Sequence, residues 1–257
     1  MVSDKTENAR MLGFGLRSLS IWLASVLWLT VAASRASAEP EWLVDTEPTP
    51  ERFSLCEQGQ AQSPIDFQKS TVIKSDAADL RFDYHSGEAK VVHRGHTLEM
   101  PMPTGNLLWL GNSRYTLVSI DLHSPSEHRF NSESYPLEVH LVHKNATGEV
   151  AVVALFFDFG LHQAALEPFL QAPPLAEGEV AHWHKPFNPK RLLPPNPVHY
   201  RYLGSLTVPP CVEEVKWFVL RMPRSVSSEQ IERFQALVNA PNNRPTQPLN
   251  GRTILSQ

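Results

Sequence analysis

The chain has no apolar run long enough to span a membrane. Its longest, Ile21 to Ala33, carries Trp22, Leu23, Val26, Leu27, Trp28 and Leu29. That is short of the ~20 residues a spanning helix needs. Lys5, Arg10 and Arg17 precede the run, and Ala36-Ser37-Ala38 follows it. A basic start, an apolar stretch and a small-residue cleavage site make residues 1–38 a secretory signal peptide, with Glu39 as mature N-terminus. An uncleaved anchor is the competing reading, and Arg35 beside the cut is an irregularity. No cysteine follows the run, which argues against a lipoprotein anchor. The expectation is export, periplasmic or secreted, with no stable membrane anchor after cleavage.

There is no basic excess either. The net charge of the whole chain is −4. The leader holds Lys5, Arg10, Arg17 and Arg35 against Asp4 and Glu7, so the mature part stands at −6. An acidic domain with scattered basic residues argues against nucleic-acid binding. Cysteine is scarce: Cys56 and Cys211 are the only two. In an exported chain the pair suggests one disulfide, with two free thiols as the alternative. Internal repeats, long linkers and low-complexity tracts are all missing. Removing 38 of 257 residues leaves 219, the size of one domain over 39–257.

What is present is a succession of short apolar-rich runs separated by turn signals. Leu80–Tyr84, Ala89–His93, His96–Met100, Leu107–Leu110, Thr116–His123, Leu137–His143, Val150–Phe157 and Trp217–Arg221 read as strands. The 22 prolines sit mostly between such runs. Ser227-Ser-Glu-Gln230 is a capping box opening a helix, with Ile231, Phe234, Leu237 and Val238 on one face. Gly160 to Leu170 is a second helical candidate, and residues 39–60 read as an irregular segment. The fold class is mainly β (α+β), one domain with a few peripheral helices.

Residues two apart on a strand face the same way. Asp121 and His123 therefore project together, and so do Glu138 and His140 on the later run. The alternation with Ile120, Leu122, Val139 and Leu141 is that of an antiparallel sheet with one core face. If the two strands pair, Asp121, His123 and His140 converge on one point, and three protein ligands with an open fourth position make a catalytic zinc pattern. A lone strand histidine is more often an ordinary hydrogen-bonded residue. His182-Trp-His184 has the same spacing, but it lies in a Pro-rich loop with no third partner and reads as surface.

Several motifs follow in order: Gln62-Ser-Pro-Ile-Asp66, Arg94-Gly-His96-Thr, Ser126-Glu-His128, Glu138-Val-His140, Gly204-Ser-Leu-Thr207 through Cys211, then Trp217, and Asn243-Arg-Pro-Thr-Gln-Pro-Leu249. Together they resemble the alpha-class carbonic anhydrases over nearly the whole mature chain. The resemblance implies a twisted central sheet, mostly antiparallel, with a conical cavity. It implies one Zn2+ and hydration of CO2 to bicarbonate, with a homodimer left open. His123 and His140 fall on zinc-ligand positions, and Glu138 on the acid that orients His140. Glu127 and Thr207 fall on the pair that aims the attacking hydroxide, and His96 on the proton shuttle. Val142, Val152 and Leu206 fall on the apolar CO2 pocket. Val208 and Trp217, from the same motif as Leu206, are placed by the resemblance in that substrate pocket too.

One ligand is missing. Asp121 stands where the family has its first zinc histidine, and Ser119 where it has a glutamine that supports that histidine. The two changes are coupled: a carboxylate ligand welcomes a donor, which Ser119 supplies if the side chains meet. Asp is also shorter, so the metal must shift, the strand must move or a water must fill the gap. Its charge offsets that of the metal and raises the pKa of bound water. Val208 replaces a threonine, while Arg94 and Glu99 make the rim more charged. The family's N-terminal aromatic segment is unrecognisable, with Trp42 as its remnant. The sequence thus leaves two readings: a zinc enzyme with altered or reduced activity, and a silent carbonic-anhydrase-related binding protein.

Overall fold

The period-2 runs fold as strands, and most extend by one to three residues beyond their apolar cores. The computed structural model describes residues 55–68, 71–75 and 80–257. The signal-peptide boundary and Trp42 lie outside them. In chain order the strands are β1 (Asp66–Phe67), β2 (Val72–Lys74), β3 (Leu80–Asp83), β4 (Gly87–His93) and β5 (Leu98–Pro101). Next come β6 (Leu107–Leu110), β7 (Ser113–His123), β8 (Arg129–Phe130), β9 (Leu137–Lys144) and β10 (Val150–Phe159). The last are β11 (Val180–Phe187), β12 (His199–Gly204), β13 (Val215–Leu220), β14 (Arg224–Val226) and β15 (Ile254–Ser256).

Thirteen of these form one sheet, ordered β11-β4-β5-β7-β9-β10-β13-β12-β15-β2, with β14 on β10 and β6 between β3 and β7. Most pairs are antiparallel, but β10 runs parallel to β13 and β14, and β15 parallel to β2. His182 and His184 lie on strand β11 rather than in a loop, and both are exposed. The surface reading of that pair stands, while the loop reading does not: β11 pairs with β4 from Val180 to Trp183. Residues 55–58, expected to be irregular, are helical.

The helix Ser228–Val238 begins as its sequence dictates. Ser227 Oγ accepts from the Gln230 amide, and Gln230 Oε1 accepts from the Ser227 amide. Such a cap is worth ~1 kcal/mol. Asn239 ends the helix in the left-handed region at φ 51°. Ile231, Phe234 and Val238 are buried in the same core cluster as Leu141, Leu155 and Leu220. The Gly160 to Leu170 candidate resolves into two short pieces, a 3-10 turn at Ala164–Leu166 and a helix at Glu167–Leu170, where Pro168 sits at a tolerated early position.

The sheet departs from the expected one-sided pattern. On β9 both faces are buried: Val139 and Leu141 at 0 %, but also Glu138 at 0 % and His140 at 3 %. The polar face is closed by residues 124–128, 205–211 and 242–244, which hydrogen-bond onto it. Gly204 allows this closure. A Cβ there would collide with Ser63 Oγ and crowd Tyr202 and Trp217 at 2.8 and 2.9 Å. Cys56 and Cys211 form a disulfide that ties the N-terminal segment to the 205–211 loop across 155 residues.

Candidate metal centre and cavity

The register places the motif side chains in rows. Ser119 faces Val142, Asp121 faces His140, and His123 faces Glu138 across β7 and β9. Val142 faces Val152 on β10, which in turn faces Trp217 on β13. Directly opposed residues share a face of the sheet. One row of this sheet face is therefore polar (Asp121, His123, His140) and the adjoining row is apolar (Val142, Val152, Trp217). Leu206 is buried at 6 % and Val208 half-buried.

The two histidines are held by their outer nitrogens. His123 Nδ1 lies 3.3 Å from the Asn242 carbonyl oxygen. His140 Nε2 lies 2.8 Å from Glu138 Oε1. With those nitrogens donating, His123 Nε2 and His140 Nδ1 are the lone-pair atoms. Their ring centroids are 4.5 Å apart, and Trp217 packs edge-on against His140 at 4.9 Å.

Glu138 is the anchor of the wall. It accepts from His140, from His128 Nδ1 at 2.6 Å and from the His128 amide at 2.8 Å. Burial alone would raise its carboxyl, but His128 and His140 outweigh that and hold it well below the usual range. Burial would likewise lower His140, yet Glu138 reverses the sign and its value is raised. His128 continues the chain: its Nε2 lies 2.6 Å from Tyr202 Oη, which lies 2.8 Å from Ser63 Oγ. Burial keeps the Tyr202 hydroxyl protonated.

Asp121 lies on the expected face, and the Ser119 hydroxyl donates to its Oδ2 at 3.1 Å. The coupled change inferred from sequence is therefore a contact. Desolvation, then the facing Glu99, push the Asp121 carboxyl well above the usual range. Asp121 does not belong to the tight donor group. His123, Glu127 and His140 have ligand atoms all within 4.8 Å of one another, and Asp121 stands outside that set.

Glu127 Oε1 accepts from the Arg244 amide at 2.8 Å, whereas the buried Oε2 has no hydrogen-bond partner. The bond expected between Thr207 and Glu127 is thus not formed, and Thr207 is half-buried. His96 is exposed on the bend between β4 and β5, where its carbonyl accepts from Asn242 at 2.9 Å.

Four supporting residues escaped the sequence reading: His128, Tyr202, Asn242 and Arg244. Asn242 holds His123, Ser124, His96 and Leu122 at once. The Arg244 guanidinium binds Gln62 Oε1 and the carbonyls of Ser63 and Cys56. His128 and Arg244 lay inside quoted motifs, but no local pattern gives them a role.

A family model described as eukaryotic-type carbonic anhydrase matches residues 41–257. The chain belongs to the eukaryotic-type carbonic anhydrase family. A carbonic anhydrase of Pectobacterium carotovorum is 39 % identical over 203 residues, covering 79 % of this chain and 82 % of that protein. One from Neisseria gonorrhoeae is 34 % identical over 206 residues, covering 80 % and 81 %. Among solved structures, the alpha-carbonic anhydrase of Thermovibrio ammonificans in complex with the inhibitor sulfanilamide superposes with a TM-score of 0.77. It is 37 % identical and covers 80 % of this chain and 91 % of its own. Alpha carbonic anhydrases are zinc enzymes, and this chain's histidine pair, each ring tied back through its outer nitrogen, has the donor chemistry zinc takes. Among the described residues no helix is long and apolar enough to cross a membrane.

Proposed function

We propose that the chain is an exported zinc enzyme that hydrates CO2 reversibly to bicarbonate, with Asp121, His123 and His140 as the metal-holding residues. The observation carrying this reading is the pair of buried histidines whose outer nitrogens are fixed by Asn242 and Glu138, leaving one lone pair each in the cavity. A zinc ion, when bound, supplies Lewis acidity that brings a water's pKa toward neutrality, as is known for carbonic anhydrases.

The chain's own residues do the rest. Glu138 sets the His140 tautomer and raises its basicity. Val142, Val152, Leu206, Val208 and Trp217 give an apolar, water-poor berth suited to CO2. Glu127 Oε2, which has no hydrogen-bond partner, accepts a hydrogen bond from the Thr207 hydroxyl on a turn of that side chain, which aims the Thr207 oxygen at the attacking group. His96, at the exposed rim, passes the released proton to solvent. A signal peptide over residues 1–38 delivers the domain outside the cytoplasm, in keeping with its disulfide.

One observation favours a second reading, a silent binding protein: Asp121 stands outside the donor group. Elemental analysis and CO2 hydration, run on the parent and an Asp121→His variant, decide between them. The expected result is about one zinc per chain in both, with faster hydration in the variant. The carboxylate offsets metal charge, so the parent's pH–rate midpoint should lie on the alkaline side of the variant's. A metal-free parent beside a zinc-loaded variant leaves the silent reading.

A further inference from the structure

The sheet face turned away from the metal centre carries a pocket of about 530 Å³ between β13 and β15, a volume suited to a small molecule. Arg201 of β12 is the register partner of Phe218 on β13 and of Leu255 on β15, so the three share that face. Leu203 pairs with Lys216 two residues along. The intervening Tyr202 and Trp217 turn their rings the other way, to His128 and His140. Arg252 adds a third cation to the lining, and no acidic side chain of the described residues joins it. Leu203 is 56 % exposed there.

The three cations are not equally occupied. Lys216 Nζ donates to Glu149 Oε1 at 2.7 Å and to Tyr115 Oη at 2.9 Å. Arg252 donates to the carbonyls of Leu249, Leu203, Gln62 and Pro248, so dipoles rather than a carboxylate meet its charge. The half-buried Arg201 guanidinium makes one hydrogen bond among the described residues, from Nη2 to Ser75 Oγ at 3.1 Å, and its buried Nε has no partner. A guanidinium left so beside apolar side chains is under-satisfied, and that costs stability. A carboxylate offers it charge-assisted bonds in the planar geometry arginine favours. We propose that this pocket binds a small amphiphilic carboxylate. The anion sits on Arg201 within the positive field of Arg252, and the hydrocarbon body lies along Leu203, Phe218 and Leu255. The site is distinct from the metal centre and does not depend on how that centre is occupied.

The test is calorimetric titration of the purified mature chain with octanoate, beside octanol, which has the same tail without the charge. Octanoate should bind as one molecule per chain, and octanol ~10-fold or more weaker, as the loss of charged hydrogen bonds implies. Arg201→Gln should weaken octanoate by a similar factor and leave octanol unchanged. Leu203→Asp alters an outward side chain that the fold tolerates losing, and its carboxylate should repel octanoate as strongly. Octanoate that binds both variants as tightly as the parent sits elsewhere, the metal centre included, and the proposal falls. Equal affinity for octanoate and octanol would reduce the pocket to an apolar patch and remove the role of Arg201. No binding at millimolar octanoate also overturns the inference. So does a dimer in sedimentation that Leu203→Asp splits and octanoate does not, because a second copy of the chain would then be the occupant.

Discussion

Strand β9 carries two histidines three residues apart, and its two faces treat them in opposite ways. His140 shares the cavity face with Glu138; His143 shares the core face with Val139 and Leu141. Both are buried, at 3 % and 0 % exposure. On the core face the partners are neutral. Tyr84 Oη sits 2.6 Å from His143 Nε2, and the Ala151 carbonyl 3.3 Å from Nδ1. Burial lowers His143 to about 3. On the cavity face the same burial is outweighed by Glu138, and His140 is raised. Depth in the sheet sets the penalty for an imidazolium, and one carboxylate at hydrogen-bond distance decides its sign.

The sharpest way to break the contrast is Glu138→Ala. It strips one face of its anion and leaves His128 and His140 without their acceptor. Losing one partner of a buried charged pair costs ~3–5 kcal/mol, to be read by urea unfolding of the metal-free protein. Metal affinity should fall by ~10–100-fold. A stability loss under ~1 kcal/mol would mean that packing, not charge, holds that face.

Acid titration separates the faces by sign. The unfolded chain protonates His143 as pH falls through the ordinary 6.5, whereas the folded chain resists until about 3. His143 thus removes stability progressively as pH drops across that window. The raised His140 acts the other way in the metal-free protein. Its contribution is fully present below the ordinary value and is lost as pH rises through the folded one. Stability measured between pH 6 and 4 with chelator present should fall less steeply in His143→Gln, by up to ~1.4 kcal/mol per pH unit. Parallel slopes for parent and variant would show that His143 is protonated in the native state.

The strands of this wall were legible in the sequence because alternation is a local signal. Thr116–His123 and Leu137–His143 differ from β7 and β9 only at their ends. The helix start at Ser227 was equally local, written in a four-residue capping box. Strands β11 and β12 carry mixed residues whose pairing is decided by neighbours far along the chain, and alternation did not reveal them. The same holds in the site. Ser119 and Asp121, two apart on one strand, were legible as a pair. Whether Asp121 reaches the histidines was not, since reach depends on where β9 places His140. The His128–Tyr202–Ser63 relay joins residues 74 and 139 apart in sequence, and no spacing rule connects such partners.

The smallest effect tests whether the two faces are independent. Tyr84 keeps its proton because burial raises its hydroxyl well above the ordinary value, so it donates to His143 Nε2. Tyr84→Phe deletes that donor without touching Glu138, His128 or His140. A buried acceptor left unmade costs ~1–3 kcal/mol, which urea unfolding at pH 7 resolves. Metal affinity should not change, because the imidazole that loses its partner points into the core and the one that would hold metal points into the cavity. If affinity fell along with stability, strain on the core face would be reaching His140 through the β9 backbone. The two histidines would then be one coupled system rather than two environments on a shared strand.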